Sequence, residues 1–526
     1  MVLACKALVA FSATVGSLWR GSVLAGALVL TGCSALPVAP DKVVSHALTD
    51  TAATRLGRAI EPRVREHPGQ AGLMALPDGR EAFATRVLLL DAAERSIDLQ
   101  TYIFHADATG TLMFDRLLRA ADRGVHVRLL LDDNNTVGLD PLLALLDAHA
   151  NIEVRLFNPH VNRGFRLLGF ATDFSRLNRR MHNKAFTVDN QASVVGGRNL
   201  GDEYFQAGQG TTFADLDVIA MGGAVQEVSN VFDRYWNSAS AYPAASILAG
   251  VQAADARALH EQVRRIQASP DAAAYIQAVA DSRKVQELLT GRAQIEWARA
   301  RLVYDEPEKV LNATDRIDLQ MLPRLEATLG RPLTELDLVS PYFVPGEAGA
   351  LALQTLAKRG VRVRVLTNSL AATDVTAVHA GYAKWREDLL RAGVKLLELK
   401  PSVEVDEELA KGKSGPGGNS KASLHAKTFE VDRQRIFVGS FNLDPRSTRL
   451  NTEMGMVIDS PLFATQLASA LDRLPAGAAY ELRLSPQGQV EWVDAGTTVY
   501  TTEPLTGVLR RAAVKVMSWL PIEWML

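Results

Sequence analysis

Cysteine is almost absent from this sequence of 526 residues: it occurs twice, as Cys5 and Cys33, both within the first 33 residues. The rest of the chain therefore cannot hold a structural disulfide, whatever the redox compartment in which it folds. An excess of charge of one sign is also missing, because the formal net charge is −2. This balance excludes a uniformly charged surface, so any attraction to an anionic partner must come from local patches.

Strong compositional bias is missing as well. Hydrophobic residues make up 47% and charged residues 22% of the sequence, which argues against a disordered chain and against a polytopic membrane protein. A chain of this length can form two or three domains, each with a sizeable core. The composition therefore predicts a globular protein of several domains.

The first 33 residues have the pattern of a secretory signal: a lightly charged start, an uncharged run over residues 22–31, and small residues before a break. The run ends in Leu30-Thr31-Gly32-Cys33, which is similar to a bacterial lipobox, in which the cysteine is acylated. An uncleaved anchor over residues 21–38 and cleavage after another small residue are the alternatives, but the run is shorter than the ~20 residues that span a bilayer. We predict a signal peptide over 1–33 that is lipidated at Cys33, a tether over 34–67, and a membrane-anchored location in the bacterial cell envelope.

The chain beyond residue 83 alternates between helical and strand patterns. Helical spacing is followed by strand patterns in three pairs of segments: 87–93 and 96–104, 110–123 and 125–131, and 141–148 and 152–157. Strands that alternate with helices of this length predict an α/β fold, with a parallel or mixed sheet flanked by helices on both faces.

The same order of segments recurs later in the chain, which indicates an internal duplication. Three pairs of segments correspond: 96–102 with 335–342, 123–130 with 359–366, and 150–157 with 392–399. The offset stays near 240 residues, about the size of a domain. We therefore predict two similar α/β domains, 68–245 and 313–526, packed face to face with pseudo-two-fold symmetry. The stretch between them, 246–312, has helical spacing and is predicted to be a helical insert.

One short motif, His-x-Lys-x4-Asp, occurs once in each copy and is followed each time by a glycine turn and an asparagine. The residues are His182, Lys184, Asp189 and Asn199 in the first copy, and His425, Lys427, Asp432 and Asn442 in the second. Residues two apart on a strand point to one face, so each histidine and its lysine should face a common ligand. Two such motifs at equivalent places in a duplicated fold are a strong signal, whereas a single one is only suggestive.

These residue types suit transfer at a phosphodiester. A neutral imidazole can attack the phosphorus without charge repulsion and form a covalent intermediate, and lysine and asparagine side chains can stabilise the charge on the non-bridging oxygens. A second histidine can protonate the leaving alkoxide and then act as the base for the incoming hydroxyl, near the pH at which imidazole titrates. This scheme requires no metal and no cofactor. Asp189 and Asp432 lie at strand-to-turn transitions, where holding the fold is as good an explanation as direct chemistry.

The paired motifs resemble the HKD signature of the phospholipase D superfamily, and the resemblance extends from about residue 68 to residue 526. It narrows to bacterial cardiolipin synthases through three further segments, 131–136, 172–182 and 518–524. The resemblance implies that His182 forms a phosphohistidine and that His425 acts as the general acid. It further implies catalytic roles for the remaining motif residues, which are Lys184, Asp189, Lys427 and Asp432. Two asparagines, Asn199 and Asn442, are implied to bind phosphate. Two acidic residues, Asp215 and Glu453, are implied to orient the histidines.

The resemblance implies an enzyme, a phospholipid transphosphatidylase that makes cardiolipin from phosphatidylglycerol and a second phospholipid, either phosphatidylglycerol again or phosphatidylethanolamine. A phospholipase D-type hydrolase and a nuclease use the same residues with water as the acceptor, so the motifs alone cannot separate these functions. The export signal favours lipid over nucleic acid. An inactive lipid-binding relative would normally have lost a motif histidine or lysine, and none is missing here. The pattern identifies no helper protein.

Two segments suggest contact with a membrane surface. Arginines are interleaved with aromatic residues just before His182: Arg163, Phe165, Arg166, Phe170, Phe174, Arg176, Arg179 and Arg180. This pattern suits contact with anionic lipid headgroups. Internal salt bridges and binding of nucleic-acid phosphate are the alternatives. Near the C-terminal end, apolar residues recur at helical spacing from Leu505 to Leu520, with Trp519 and Trp524 placed for an interface. Packing of this amphipathic helix onto the catalytic body is the competing interpretation.

Overall fold

The computed structural model describes Leu36 and residues 42–206, 212–250, 253–401 and 422–526. The predicted signal peptide, including the candidate lipidation site Cys33, lies outside the described residues. Among the residues that are described, no helix combines the length and the apolar character needed to cross a bilayer.

The predicted tether is wrong over residues 42–67, because this segment packs on the folded body. Helix α1 (Arg55–Glu66) buries Leu56 and Ile60. Ahead of it, Ser45 Oγ accepts a hydrogen bond from Trp236 Nε1 at 2.8 Å. Gly57 permits the close contact at the start of the helix, since a Cβ there would lie 2.4 Å from the carbonyl oxygen of Thr51. The few apolar residues fall on one helical face, which is enough to bind the segment to the core.

The first half of the chain forms an α/β domain. Its strands are β1 (Ala71–Leu76), β2 (Ser96–Ile103), β3 (His126–Asn135), β4 (Ile152–Phe157), β5 (Ala185–Val188), β6 (Ala192–Gly196), β7 (Thr212–Ala214), β8 (Asp217–Gly222) and β9 (Ala241–Pro243). Its helices after α1 are α2 (Gly79–Ala92), α3 (Ala108–Asp122), α4 (Asp140–Asp147), α5 (Arg166–Thr172), α6 (Phe174–Leu177) and α7 (Gly223–Trp236). Strands β2, β3 and β4 are parallel, and the sheet runs in the order β1-β8-β6-β5-β2-β3-β4-β9.

The second half repeats this arrangement. After helices α8 (Ala253–Gln267), α9 (Pro270–Asp281) and α10 (Lys284–Leu289), its strands are β10 (Glu296–Tyr304), β11 (Glu335–Val339), β12 (Arg362–Asn368), β13 (Lys395–Leu399), β14 (Ala422–Leu424), β15 (Thr428–Val431), β16 (Arg435–Gly439), β17 (Met454–Asp459), β18 (Ala479–Leu484), β19 (Val490–Asp494) and β20 (Thr498–Tyr500). Its helices are α11 (Met321–Leu329), α12 (Gly346–Lys358), α13 (Thr376–Ala383), α14 (Arg386–Arg391), α15 (Pro445–Arg449), α16 (Pro461–Asp472) and α17 (Val508–Trp519). The order β10-β17-β16-β15-β11-β12-β13-β18 matches the first sheet strand for strand, which confirms the predicted duplication.

Strand β10 joins the two sheets. Its first residues pair with β1, with Ala298 opposite Ala71, and its remaining residues pair with β17, with Tyr304 opposite Met454. The prediction of a helical insert over 246–312 is therefore wrong for β10, although α8, α9 and α10 do occupy the earlier part. Alanine and arginine are good helix formers, but in β10 they alternate between buried and exposed faces, as tertiary context overrides propensity.

A shared core holds the two halves together. Val195 and Ala220 of the first sheet pack in one apolar cluster with Val438 and Met456 of the second. Burial of these side chains from both sheets supplies the main driving force for their association. The two halves therefore form a single body with the motif segments at their junction.

Candidate active site

Both motifs lie in extended segments just before a strand rather than within it. Residues 182–184 precede β5, and residues 425–427 connect β14 to β15. The alternation still brings each histidine and its lysine together: Lys184 Nζ donates to the His182 carbonyl oxygen at 2.6 Å, and Lys427 Nζ donates likewise to that of His425. Because β5 and β15 run antiparallel to β2 and β11, each motif lies at the carboxyl edge of the parallel strands.

The acidic partner of His425 comes from the other half of the chain. Strands β7 and β14 pair in parallel, and the His425 amide donates to the Ala214 carbonyl oxygen at 2.9 Å. Asp215, the next residue after Ala214, thereby lies beside the imidazole, with its Oδ2 2.6 Å from His425 Nδ1. Lys427 Nζ also lies 2.9 Å from the same ring nitrogen.

The acidic partner of His182 likewise comes from the opposite half of the chain. Met181 and Thr452 form a parallel bridge between the halves, and the His182 amide donates to the Thr452 carbonyl oxygen at 2.8 Å. Glu453 therefore follows beside the imidazole, with its Oε2 2.8 Å from His182 Nδ1. The family resemblance implies Asp215 and Glu453 as partners, but the sequence contains no signal that each serves the histidine of the opposite half.

Aromatic rings enclose the two imidazoles. Tyr102 stands edge-on to His182, and Tyr204 stands edge-on to His425, each with ring centroids 5.0 Å apart. Phe213 covers another side of His425, also at 5.0 Å. The sequence motifs gave no signal for these rings, although Tyr102 is the last residue but one of β2 and lies at the strand edge where site residues collect.

Burial dominates the electrostatics of the histidines and lysines. It lowers the pKa of His182 well below its usual value, and the charges of Lys184 and Lys427 lower it further. The pKa of His425 falls to about 4 through burial and Lys427, although Asp215 opposes the change. Each lysine acts on the histidine of the other half as well as its own, so the two motifs form one site. Burial also lowers the pKa of Lys184 to about 7 and that of Lys427 to about 8.

The two carboxyl partners differ in charge. Burial disfavours the ionised form of both, but for Asp215 the effect is outweighed by His425 and Lys427, which hold its pKa below the usual value. For Glu453 the effect of burial is the largest and raises the pKa to about 7, although the charge of Lys184 and a hydrogen bond from Ser440 lower it. Asp215 is therefore ionised at neutral pH, whereas Glu453 titrates there.

The two motif aspartates lie outside this site. Asp189 has a φ of 51°, and its carboxylate accepts the backbone N–H groups of Glu94, Arg95 and Ser96 ahead of β2. The carboxylate of Asp432 accepts the equivalent N–H groups of residues 333–335 ahead of β11. The prediction of catalytic roles for both is therefore corrected: they tie the far end of each motif strand to its neighbour, as the turn interpretation implied.

The two motif asparagines are buried near the site in different settings. Asn199 Oδ1 accepts the Ile103 N–H at 3.2 Å, so this side chain fixes the end of β2. Asn442 Oδ1 has no hydrogen-bond partner among the residues that the structure describes. Their predicted role in phosphate binding stays a prediction.

The arginine and aromatic segment before His182 is not a free basic patch. All five guanidinium groups are occupied within the protein: Arg163 by Asp133 and Asp140, Arg166 by the Asp133 carbonyl oxygen and Thr136, Arg176 by Asp173 and Asn158, Arg179 by the Asn312 carbonyl oxygen, and Arg180 by Asp132. The expectation that they meet anionic headgroups is wrong, and internal pairing is the correct alternative. Asp132 in addition accepts the Met181 N–H at 2.8 Å, so its pair with Arg180 positions the residue before His182.

A doubled sheet whose two His–Lys motifs meet in one buried site defines a two-domain enzyme of the phospholipase D type. The family model described as "Cardiolipin synthase, PLD-like domain" matches the chain twice, over residues 87–236 and 325–474. The chain therefore belongs to the cardiolipin synthase family of phospholipase D-like proteins.

One named relative supports this assignment. The chain is 46% identical to Cardiolipin synthase C of Escherichia coli, over 90% of this chain and 100% of that protein. It is 32% identical to an uncharacterized protein of Helicobacter pylori, over 80% of this chain and 83% of the relative. Among solved structures, phosphatidylserine synthase of Haemophilus influenzae shares the fold with a TM-score of 0.56 at 14% identity, covering 90% of this chain and 100% of that one.

Proposed function

We propose that this enzyme transfers a phosphatidyl group from one phospholipid to the hydroxyl of phosphatidylglycerol and so makes cardiolipin. The observation that carries the proposal is that each buried imidazole is hydrogen-bonded to a carboxyl group from the opposite half and lies within electrostatic reach of both motif lysines. The 46% identity to Cardiolipin synthase C supports the choice of lipid. The donor is a second phosphatidylglycerol or phosphatidylethanolamine, and nucleic acid is not a substrate.

In the first step His182 Nε2 attacks the phosphorus of the donor, and the bond from phosphorus to the leaving alcohol oxygen breaks. His425 gives that oxygen a proton, so glycerol or ethanolamine leaves as the neutral alcohol and a phosphatidyl-histidine remains. The low pKa of His182 keeps it neutral for the attack. The firmly ionised Asp215 stabilises the charged form of His425.

In the second step the hydroxyl of phosphatidylglycerol gives its proton to His425, its oxygen bonds to phosphorus, and the phosphorus–nitrogen bond breaks. Lys184, Lys427, Asn199 and Asn442 hold the non-bridging oxygens in both steps. The anionic phosphodiester offsets the two lysine charges that lower the pKa of His425, so substrate binding itself favours the protonated acid. A change of acceptor to water would give phosphatidic acid instead.

The test is an incubation of the purified full chain with labelled phosphatidylglycerol, with and without phosphatidylethanolamine, in which cardiolipin and phosphatidic acid are quantified. We expect cardiolipin as the main product, and loss of turnover in His182→Ala and in His425→Ala. Phosphatidic acid alone would establish a hydrolase. Intact activity in either variant would remove that histidine from the mechanism. Label retained on protein that lacks His425 but not on protein that lacks His182 would identify His182 as the nucleophile.

The proposal includes docking of the body on a bilayer, in addition to an anchor at Cys33. Helix α17 packs inward through Val514, and its apolar stripe faces solvent: Leu509 is 86% exposed and Trp519 73% exposed. Arg510 of this helix donates to the Thr373 carbonyl oxygen in the loop after β12. The stripe therefore borders the strand edge at which the site lies, as suits an interfacial helix.

A second exposed apolar patch borders the same edge. It belongs to α5 and α6, which follow β4, and it consists of Phe165, Leu167, Leu168 and Phe174. Arg446 connects the two patches, since its guanidinium group donates both to the Asn178 carbonyl oxygen after α6 and to the Met525 carbonyl oxygen after α17. A flat bilayer can meet both patches at once and present lipid headgroups to the site between them.

Combined Leu509→Ser and Trp519→Ser should raise the KM for phosphatidylglycerol vesicles at least about a hundredfold, since each buried apolar side chain contributes about 1.5–3 kcal/mol and about 1.4 kcal/mol corresponds to a factor of ten. Turnover of a monomeric short-chain phosphatidylglycerol should not change. Leu333→Ser is the matched control, because Leu333 is 72% exposed but precedes β11 at the opposite edge. Equal effects of the control and the helix variants on vesicle KM would exclude this docking surface.

A further inference from the structure

The carboxyl groups behind the two histidines are supported by different charges. Behind Asp215 lies Arg198, whose guanidinium group donates to the Asp215 carbonyl oxygen at 2.6 Å and to the Leu76 carbonyl oxygen at 2.8 Å. Behind Glu453 lies another carboxylate: Asp305 Oδ2 accepts the Glu453 backbone N–H at 2.8 Å. The group that contacts Asp215 is thus a cation, itself paired with the buried carboxylate of Asp217, whereas the group that contacts Glu453 is an anion.

Asp305 follows β10 and is fully buried. Its own backbone N–H donates to the Glu453 carbonyl oxygen at 2.9 Å, so the two residues are bonded in both directions. Its Oδ1 accepts the Met321 N–H at 2.6 Å and lies 2.8 Å from Lys309 Nζ. Lys309 is also buried, and its Nζ donates to the Ser447 carbonyl oxygen at 3.0 Å. A buried ion pair of this kind is expensive to assemble and needs a reason beyond stability.

The strand register shows that this ion pair departs from the symmetry of the two halves. Leu76 of β1 pairs with Asp217, and Val303 of β10 pairs with Gly455. Asp217 and Gly455 are equivalent residues, because they occupy matching places in the pairing of β8 with β6 and of β17 with β16. Two residues further along lie Asp78 and Asp305. Asp78 is exposed and accepts the Glu81 N–H as the N-cap of α2. The same residue type is therefore turned into the core in one half only.

We propose that Asp305 and Lys309 are positioning residues that set the charge of Glu453 and, through Glu453, decide which nitrogen of His182 carries the proton. This inference rests on the proposed function. An ionised Glu453 accepts Nδ1–H and leaves the Nε2 lone pair free for phosphorus. A protonated Glu453 donates to Nδ1 instead, and the ring proton then sits on Nε2 and blocks the attack. Asp305 alone would favour the protonated form, and Lys309 cancels that effect.

Some of the other groups around Glu453 favour its ionised form, and others favour its protonated form. Lys184 and the Ser440 hydroxyl favour its ionised form, as does Lys309. Asp444, the N-cap of α15, disfavours it, since the two carboxyl groups raise each other's proton affinity. Lys427 lies within electrostatic reach and favours ionisation. Burial raises the pKa of Asp305 to about 6 and that of Glu453 to about 7, so the charge behind His182 changes within the neutral range.

The experiment measures kcat/KM for short-chain phosphatidylglycerol in micelles between about pH 5 and pH 9, where the acidic limb reports the ionisation needed by the free enzyme. Asp305→Asn removes an anion beside Glu453 and should move the midpoint of this limb to lower pH. Lys309→Met leaves the anion uncompensated and should move it to higher pH. Each shift should be on the order of one pH unit. The double variant should return close to the wild-type midpoint, and Asp78→Asn, the matched control, should not move it.

A purely structural role would lower the amount of active enzyme without moving the midpoint, because a profile is independent of the folded fraction. Shifts in the same direction for both variants, or no shift in either, would overturn the inference. If Asp305→Asn fails to fold, Lys309→Met and Lys309→Gln must both move the midpoint of the acidic limb to higher pH. An unchanged midpoint in these two variants would also overturn the inference. A wild-type enzyme that forms no transfer or hydrolysis product would refute the proposed function instead, so the two failures are distinct.

Discussion

Replacing Asp215 by asparagine should slow phosphatidyl transfer by about three orders of magnitude. The carboxylate lies 2.6 Å from His425 Nδ1 and is ionised, so it stabilises the imidazolium that donates the proton. Two unit charges about 4 Å apart interact by about 4 kcal/mol at an effective dielectric constant of about 20. A loss of that size corresponds to about 10³ in rate. Asparagine keeps the volume and a hydrogen-bond acceptor, so the variant tests the charge alone.

The corresponding change on the other side should cost less. Because burial raises the pKa of Glu453 to about 7, part of its population already lacks the charge at neutral pH. Glu453→Gln should therefore lose about 10–100-fold, the range for a hydrogen bond to a charged group. The order of the two effects follows from the charge behind each carboxyl group and not from its distance to the imidazole.

The assay compares kcat for phosphatidylglycerol with kcat for a phosphatidyl nitrophenol, whose leaving group departs without a proton. Asp215→Asn should lose most of its defect with the nitrophenol ester, since general acid catalysis is then unnecessary. Glu453→Gln should keep its defect with both substrates, because it acts on the attacking imidazole. A rate for Asp215→Asn within tenfold of wild type, or a larger defect in Glu453→Gln, would refute this division of roles.

Asp189→Asn should lower the melting temperature but leave kcat per folded molecule near the wild-type value. The reason is that the Asp189 carboxylate accepts three backbone N–H groups outside the site. A large loss of kcat at an unchanged melting temperature would contradict this prediction. Glu430→Gln should stabilise the protein more at pH 8 than at pH 5, as judged by calorimetry. Burial raises the pKa of Glu430 to about 8, above the usual ~4.3, so the folded state keeps a proton that the unfolded chain releases, and stability falls as pH rises between these values. Equal melting shifts at the two pH values would show that Glu430 is ionised in the folded state.

Local patterns predicted the elements that depend on neighbouring residues. The strand predicted over 152–157 coincides with β4, and the repeated order of segments predicted the duplicated sheet. The two histidines and lysines were found because the motif recurs at a constant offset, and family membership follows from the same residues. These features are encoded within short windows of sequence.

Features that depend on contacts between distant segments could not be read in this way. The exchange of carboxyl partners arises from the parallel contacts of β7 with β14 and of Met181 with Thr452, which no spacing reveals. The arginines before His182 looked free because acidic partners such as Asp133 of β3 lie far away in the sequence. In β10, good helix formers concealed a strand that is defined by its two neighbours.

Strand β10 also limits how the molecule can move. Because its first residues are hydrogen-bonded to β1 and its remaining residues to β17, separation of the two halves would break a backbone ladder and leave buried amides unpaired. Access of reactants to the site therefore does not depend on separating the two halves.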